Sequence, residues 1–232
     1  MTGTITLSTD RLLLRRYHIE DAQLLHKLFG IDEKMFEYSG WNPYETIEMA
    51  QETIQGFIDS YADEHCYSWA IDYQEQLVGT IGAYDYDPNT KSIEIGCSIA
   101  KGWWGHGFAS EAIREVLRYL LEKEKIRYIK AWSASDNVGS IRAMEHAGMV
   151  LVRSEKDALT INGKSYDKLH YGICYSSMVK RVERIKIYEQ ILDRVNCIMD
   201  QSPDVIEGFE SIRTDIQKLE KHEQRKTREE GR

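Results

Sequence analysis

The residues with the clearest chemical potential are Trp104-Gly105-His106-Gly107-Phe108-Ala109-Ser110-Glu111-Ala112, which follow a strand-like run and open a helix-like one. Gly105 and Gly107 let the backbone turn tightly and leave no Cβ between it and a ligand. The first N–H groups of a helix lack partners within that helix, and the helix dipole adds positive potential there. Together these features favour an anion, and a pyrophosphate would satisfy them. The glycine spacing alone also fits an ordinary strand-to-helix turn. Two dinucleotide patterns are excluded: no GxxxxGK[ST] is present, and Gly105-His106-Gly107 lacks the third glycine of GxGxxG. The histidines show neither HxxxH nor HExxH spacing, so no catalytic metal is expected.

The elements that must position this turn follow from periodicity. Strands are expected at Arg11 to Tyr17, Tyr67 to Tyr73, Leu77 to Tyr84, Ser92 to Ile99, Tyr128 to Ala134, Met149 to Ile161 and Ser165 to Cys174. Helices are expected at Ile19 to Phe29, Thr46 to Tyr61, Ala109 to Glu124 and Val138 to Ala147, the last closed by Gly148. Gln74-Glu75-Gln76 and Asn162-Gly163 mark hairpins. This order predicts a mixed α/β fold: a mostly antiparallel sheet of six or seven strands with flanking helices. After Cys174 the pattern changes. Met178, Val182, Ile185, Tyr188, Leu192, Val195 and Met199 form one helical seam, and Val205, Phe209, Ile212, Ile216 and Leu219 form another after Ser202-Pro203. The reading is a main domain over 1–175 and a C-terminal α-helical hairpin with a polar tail over 176–232. Narrow seams bury little alone, so a homodimer through these helices is expected, with docking in cis as the alternative.

Three motifs carry a resemblance. Glu94-Ile95-Gly96 before the turn, the glycine turn itself, and Asn137-x-x-Ser140-x-Arg142-x-x-Glu145-x-x-Gly148-Met149 after it resemble the GNAT acetyltransferase superfamily. With the opening Thr9-Asp10-Arg11-Leu12-x-Leu14-Arg15, they are similar to its branch of ribosomal-protein N-terminal acetyltransferases. The resemblance covers roughly residues 9–174 and implies direct transfer of an acetyl group from acetyl-CoA to a primary amine, either a protein N-terminus or a small amine. It implies that the backbone of Cys97, Ser98 and Ile99 pairs with the pantetheine arm. It also implies that Trp104, Gly105, His106, Gly107, Phe108, Ala109 and Ser110 take the pyrophosphate. Asn137 is expected to bond the pantetheine amides, and Arg142 either reaches a phosphate or is an exposed helix arginine. For the base the resemblance favours Glu94, with Glu37 second. For the acid it favours Ser140, whose alternative is a serine bonded to backbone in the first helical turn. Glu37, Tyr38, Trp41 and Tyr84 are placed at the acceptor pocket, with ordinary core or rim aromatics as the alternative for the rings. Cys97 reads as a buried strand residue and His106 as facing solvent.

Composition narrows the partners. The net charge is −8, and the segment 176–232 carries equal numbers of acidic and basic residues, so the whole excess belongs to the main domain. An acidic body argues against nonspecific nucleic-acid binding. No run approaches the roughly 20 apolar residues of a membrane span, and no signal peptide is read. Cys66, Cys97, Cys174 and Cys197 form no CxxC pair, which fits free thiols in the cytoplasm. The competing function is an acyl-CoA-binding scaffold of weak turnover acting through the C-terminal hairpin.

Overall fold

In the computed structural model the described residues are 2–30, 32–38 and 44–177. The helical hairpin and homodimer expectations, Trp41 and Cys197 therefore lie outside them. The chain divides into two units, Met1–Tyr175 and Ser176–Arg232.

The first unit holds an eight-stranded sheet in the order β1-β2-β3-β4-β5-β6-β8-β7. Its strands are β1 (Leu7–Ser8), β2 (Leu12–Arg15), β3 (Tyr67–Tyr73), β4 (Gln76–Asp87), β5 (Ser92–Ile99), β6 (Tyr128–Ala134), β7 (Val150–Ile161) and β8 (Lys164–Cys174). The strand beyond the expected six or seven is β1, whose two residues are too few to show a period. Every neighbouring pair is antiparallel except β5 and β6. Both expected hairpins form through residues at positive φ: Gln74 (49°) and Glu75 (62°), then Asn162 (51°) and Gly163 (76°).

Among the described residues of this unit four α-helices flank the sheet: α1 (Asp21–Leu25), α2 (Ile47–Ser60), α3 (Phe108–Glu122) and α4 (Val138–Ala147). The expected helix at Ile19 to Phe29 is split, with α1 continuing as a π-helical turn over His26–Gly30. Strand alternation sorts the helices onto opposite faces. Ala70 packs with Leu25, Ala50 and Ile54 of α1 and α2. Its neighbour Trp69 points the other way and meets Tyr119 of α3 edge-on at 6.1 Å. Register carries the α1/α2 face along the sheet through Thr80, Tyr84, Glu94, Lys130, Trp132 and His170. Beneath α3 the buried Glu124 accepts from Tyr119 Oη (2.8 Å), Tyr67 Oη (3.0 Å) and the Thr2 amide (3.0 Å), which satisfies a carboxylate that burial would otherwise disfavour.

Candidate active site

The sheet opens where its one parallel pair ends. β5 and β6 are in register only over Ser92↔Tyr128, Ile93↔Ile129 and Glu94↔Lys130. Beyond Glu94 each strand runs on without the other, to Ile99 and to Ala134. Two strand edges therefore face a gap with unspent backbone donors and acceptors. The Ala100 amide donates to Val78 O on β4 at 2.8 Å. With a period of two, the backbone groups of Ser98 also face β4, whereas those of Cys97 and Ile99 face the gap. Of the three residues expected to offer backbone to a pantetheine, Ser98 is thus engaged with its neighbour strand. The Ile99 carbonyl also accepts the Trp104 indole N–H at 2.6 Å, which leaves Cys97 with the freest edge.

At the far end of β5 stands the glycine turn. Gly105 and Gly107 both have φ of 79°, a conformation that costs a residue with a Cβ roughly 1–2 kcal/mol. An added Cβ at Gly105 would meet nothing within 4 Å, so backbone conformation rather than crowding demands the glycine. Gly107 caps α3 with no side-chain bond, and the first helical bond runs from the Glu111 amide to Gly107 O at 3.1 Å. The amides of Phe108, Ala109 and Ser110 precede it and have no acceptor among the described residues. That geometry fits a pyrophosphate.

The turn is braced from the N-terminal strands. Glu111 accepts from Thr9 Oγ1 (2.5 Å), the Arg11 amide (3.0 Å) and Arg11 Nε (2.7 Å). Arg11 also donates to His106 O at 3.0 Å and lies over the Phe108 ring at 4.8 Å. Burial alone would raise the Glu111 carboxyl, but Thr9 and Arg11 outweigh it and hold the group below its ordinary value. Sequence reasoning gave Thr9, Arg11 and Glu111 no role, although all three lie within the motifs quoted above. His106 is exposed as expected, yet its Nδ1 lies 3.1 Å from Trp104 O and its ring packs by Phe108 at 5.6 Å. Trp104 is 48% exposed despite its bond to Ile99.

At the vertex of the gap sits Glu94, its side chain 18% exposed. Its Oε1 accepts the Trp132 indole N–H at 3.0 Å, and Lys130 Nζ stands 3.8 Å from Oε2. Tyr84 is its register partner on β4. The Tyr84 phenol is pushed up to about 12 by burial and by the charge of Glu94. Gly96 admits that ring: a Cβ there would lie 3.0 Å from Tyr84 Oη. Cys97 has its thiol pushed up to about 12 by burial, which removes the thiolate a nucleophile needs.

On the β6 side, Asn137 caps α4 by accepting the Ser140 amide at 3.1 Å. The expected pantetheine donor is therefore a helix cap through its oxygen, with its amide nitrogen still available. Ser140 is half-buried in the first turn of α4, and Arg142 is exposed without an ion pair among the described residues. Tyr38 packs on Ala134, Ile161 and Tyr166 at the end of β6, meeting Tyr166 at 5.7 Å, while Glu37 beside it is exposed. The structure thus groups Tyr84 with Glu94 at the vertex, the turn at the β5 end, and Tyr38, Asn137 and Ser140 at the β6 end.

Known proteins share this fold. Residues 11–150 match the acetyltransferase (GNAT) domain family. YoaA of Bacillus subtilis (strain 168), described as an uncharacterized N-acetyltransferase, is 32% identical over 169 residues, covering 72% of this chain and 95% of YoaA. The ribosomal-protein-serine acetyltransferase of Escherichia coli (strain K12) is 23% identical, over 73% of this chain and 95% of its own. Among solved structures, RimL, a ribosomal L7/L12 alpha-N-protein acetyltransferase in complex with coenzyme A, superposes with a TM-score of 0.69 at 20% identity. That match covers 75% of this chain and 99% of RimL.

Proposed function

The chain belongs to the GNAT acetyltransferase family and is an acetyl-CoA-dependent acetyltransferase, and from that premise we propose that it acetylates a primary amine, a protein N-terminus or a small amine, by direct transfer. The observation that carries this reading is the gap between β5 and β6, with an anion cradle at one end and Glu94 at its vertex. The similarity to a ribosomal-protein-serine acetyltransferase and the shared fold of RimL, an alpha-N-protein acetyltransferase, support a protein N-terminus as acceptor.

When bound, acetyl-CoA supplies the acetyl group and a thiolate leaving group. The amides at the start of α3 bind the pyrophosphate, and the gap-facing backbone of Cys97 orients the pantetheine, aided by the Asn137 side-chain amide. Glu94 removes the proton from the acceptor ammonium so that the nitrogen lone pair can attack the thioester carbon. As the nitrogen–carbon bond forms the carbon–sulfur bond would break, the nitrogen's second proton passing to the departing sulfur, which the Ser140 hydroxyl would stabilise by a hydrogen bond. Tyr38, Tyr84 and Glu37 border the acceptor; the same role is assigned from sequence alone to Trp41, which lies outside the described residues. Arg142 is assigned to a phosphate of the cofactor.

Among the described residues no helix is long and apolar enough to cross a membrane. Cys66 and Cys97 are free cysteines, which supports an assignment to the reducing cytoplasm. The apolar seams of 178–219 support a homodimer through that segment; light scattering should then find the full chain as a dimer and a chain ending at residue 175 as a monomer.

The test of function is free-thiol release from acetyl-CoA with a panel of amines: a hexapeptide with a free N-terminus, spermidine, glucosamine and an amino-acid amide. At least one should turn over, with coenzyme A binding measurable by calorimetry. Absence of coenzyme A binding overturns the reading. Binding without turnover of any amine favours a scaffold.

A further inference from the structure

We propose that Trp132 is a positioning residue for this reaction, fixing the Glu94 carboxylate by a single indole hydrogen bond across the opening of the sheet; the proposal rests on Glu94 acting as the base. Glu94 is the last β5 residue paired with β6, and its backbone partner there is Lys130. Trp132 lies two residues further along β6, on the same face, where no backbone rung joins the strands. The bond from Trp132 Nε1 to Glu94 Oε1, at 3.0 Å, is thus a side-chain rung placed just past the last backbone rung.

Its chemistry is one-sided. An indole N–H donates and has no lone pair to accept with, so it orients the carboxylate without competing for the proton. It occupies Oε1. Lys130 Nζ, at 3.8 Å from Oε2, is beyond hydrogen-bond distance. Oε2 is therefore the oxygen left to receive the acceptor's proton. The indole is itself held: Lys168 Nζ lies 4.8 Å over its ring, and its register partner on β8 is His170. A base held at one angle works only if that angle is kept, because small misplacements of a reacting group cost large factors in rate.

The experiment is a double-mutant cycle on the full chain with Trp132→Phe and Glu94→Gln. The phenylalanine keeps a ring beneath Lys168 and removes the donor. The assay is steady-state acetylation at saturating acetyl-CoA of whichever panel amine turns over fastest, with coenzyme A affinity by calorimetry as control. The expected result is a fall in kcat of about tenfold for Trp132→Phe with coenzyme A affinity within about twofold of wild type, and no further fall from adding Trp132→Phe to Glu94→Gln. An unchanged kcat in Trp132→Phe, or an equal fall in both backgrounds, overturns the positioning role while leaving Glu94 as base. An unchanged kcat in Glu94→Gln overturns the base assignment, and the positioning role with it. A wild type inactive on every amine overturns both.

Discussion

The two rims of the β5–β6 gap are built on different principles. On the β5 rim the important groups are backbone atoms, and side chains serve to hold them: Thr9 and Arg11 clamp Glu111, Arg11 ties His106 O, and Trp104 ties Ile99 O. On the β6 rim the groups are side chains: Lys164 and Asp136 form an exposed pair (3.0 Å), and half-buried Tyr38 packs on buried Tyr166. A rim made of braced backbone recognises one partner and tolerates little change. A rim made of exposed side chains can be altered residue by residue without disturbing the turn. On the proposed function, the first rim would fix the donor and the second would select the acceptor.

Breaking the vertex that joins the rims should have the largest effect. Glu94→Gln should lower kcat about a hundredfold or more while leaving coenzyme A affinity near wild type; steady-state kinetics with calorimetry measure both. Next comes the braced rim. Gly105→Ala with Gly107→Ala forces two alanines to φ near +79°, at about 1–2 kcal/mol each, and should weaken coenzyme A binding at least tenfold by calorimetry with the acceptor KM little changed.

Removing the brace is milder. Glu111→Gln should weaken coenzyme A several-fold and lower the melting temperature by a few degrees. The same carboxyl gives a pH signature. Its folded value lies below its unfolded one, so its stabilisation is present above about pH 4.3 and is lost as pH falls through the folded value. Melting curves taken from pH 5 down to pH 3 should therefore converge for wild type and Glu111→Gln. Parallel curves would show that the charge of Glu111 contributes nothing to the brace. The smallest effect belongs to the exposed rim. Lys164→Ala removes a pair whose members are 61% and 49% exposed and should change neither melting temperature nor coenzyme A affinity measurably, moving only the acceptor KM. A loss of coenzyme A binding there would erase the distinction between the rims.

Much of this was legible in the sequence, for identifiable reasons. β3, β5, β6 and α4 have the bounds that their periodicity gave, because alternation and a glycine cap are local signals. Gly105 and Gly107 were legible because few other residues take positive φ. Most of what escaped depends on partners distant in the chain. That Ser98 faces β4 follows from the register of two strands, which one strand's pattern does not contain. That Asn137 spends its oxygen on Ser140 is a cap, a role its Asn-x-x-Ser spacing allowed but did not separate from ligand binding. Trp132 looked like any strand aromatic until β6 stood beside Glu94. The clamp of Thr9 and Arg11 on Glu111 spans about a hundred residues of chain.

The three-pair seam between β5 and β6 also has a mechanical meaning. A sheet that stops being stitched halfway along is a fabric with a slit, and whatever lies in the slit serves as its missing thread. The donor substrate would then be part of the protein's architecture as well as its chemistry. Its binding should raise the melting temperature in proportion to the logarithm of its concentration above Kd. It should also slow exchange of the gap-facing amides of Cys97 and Ile99 more than that of the Ser98 amide, which already faces β4.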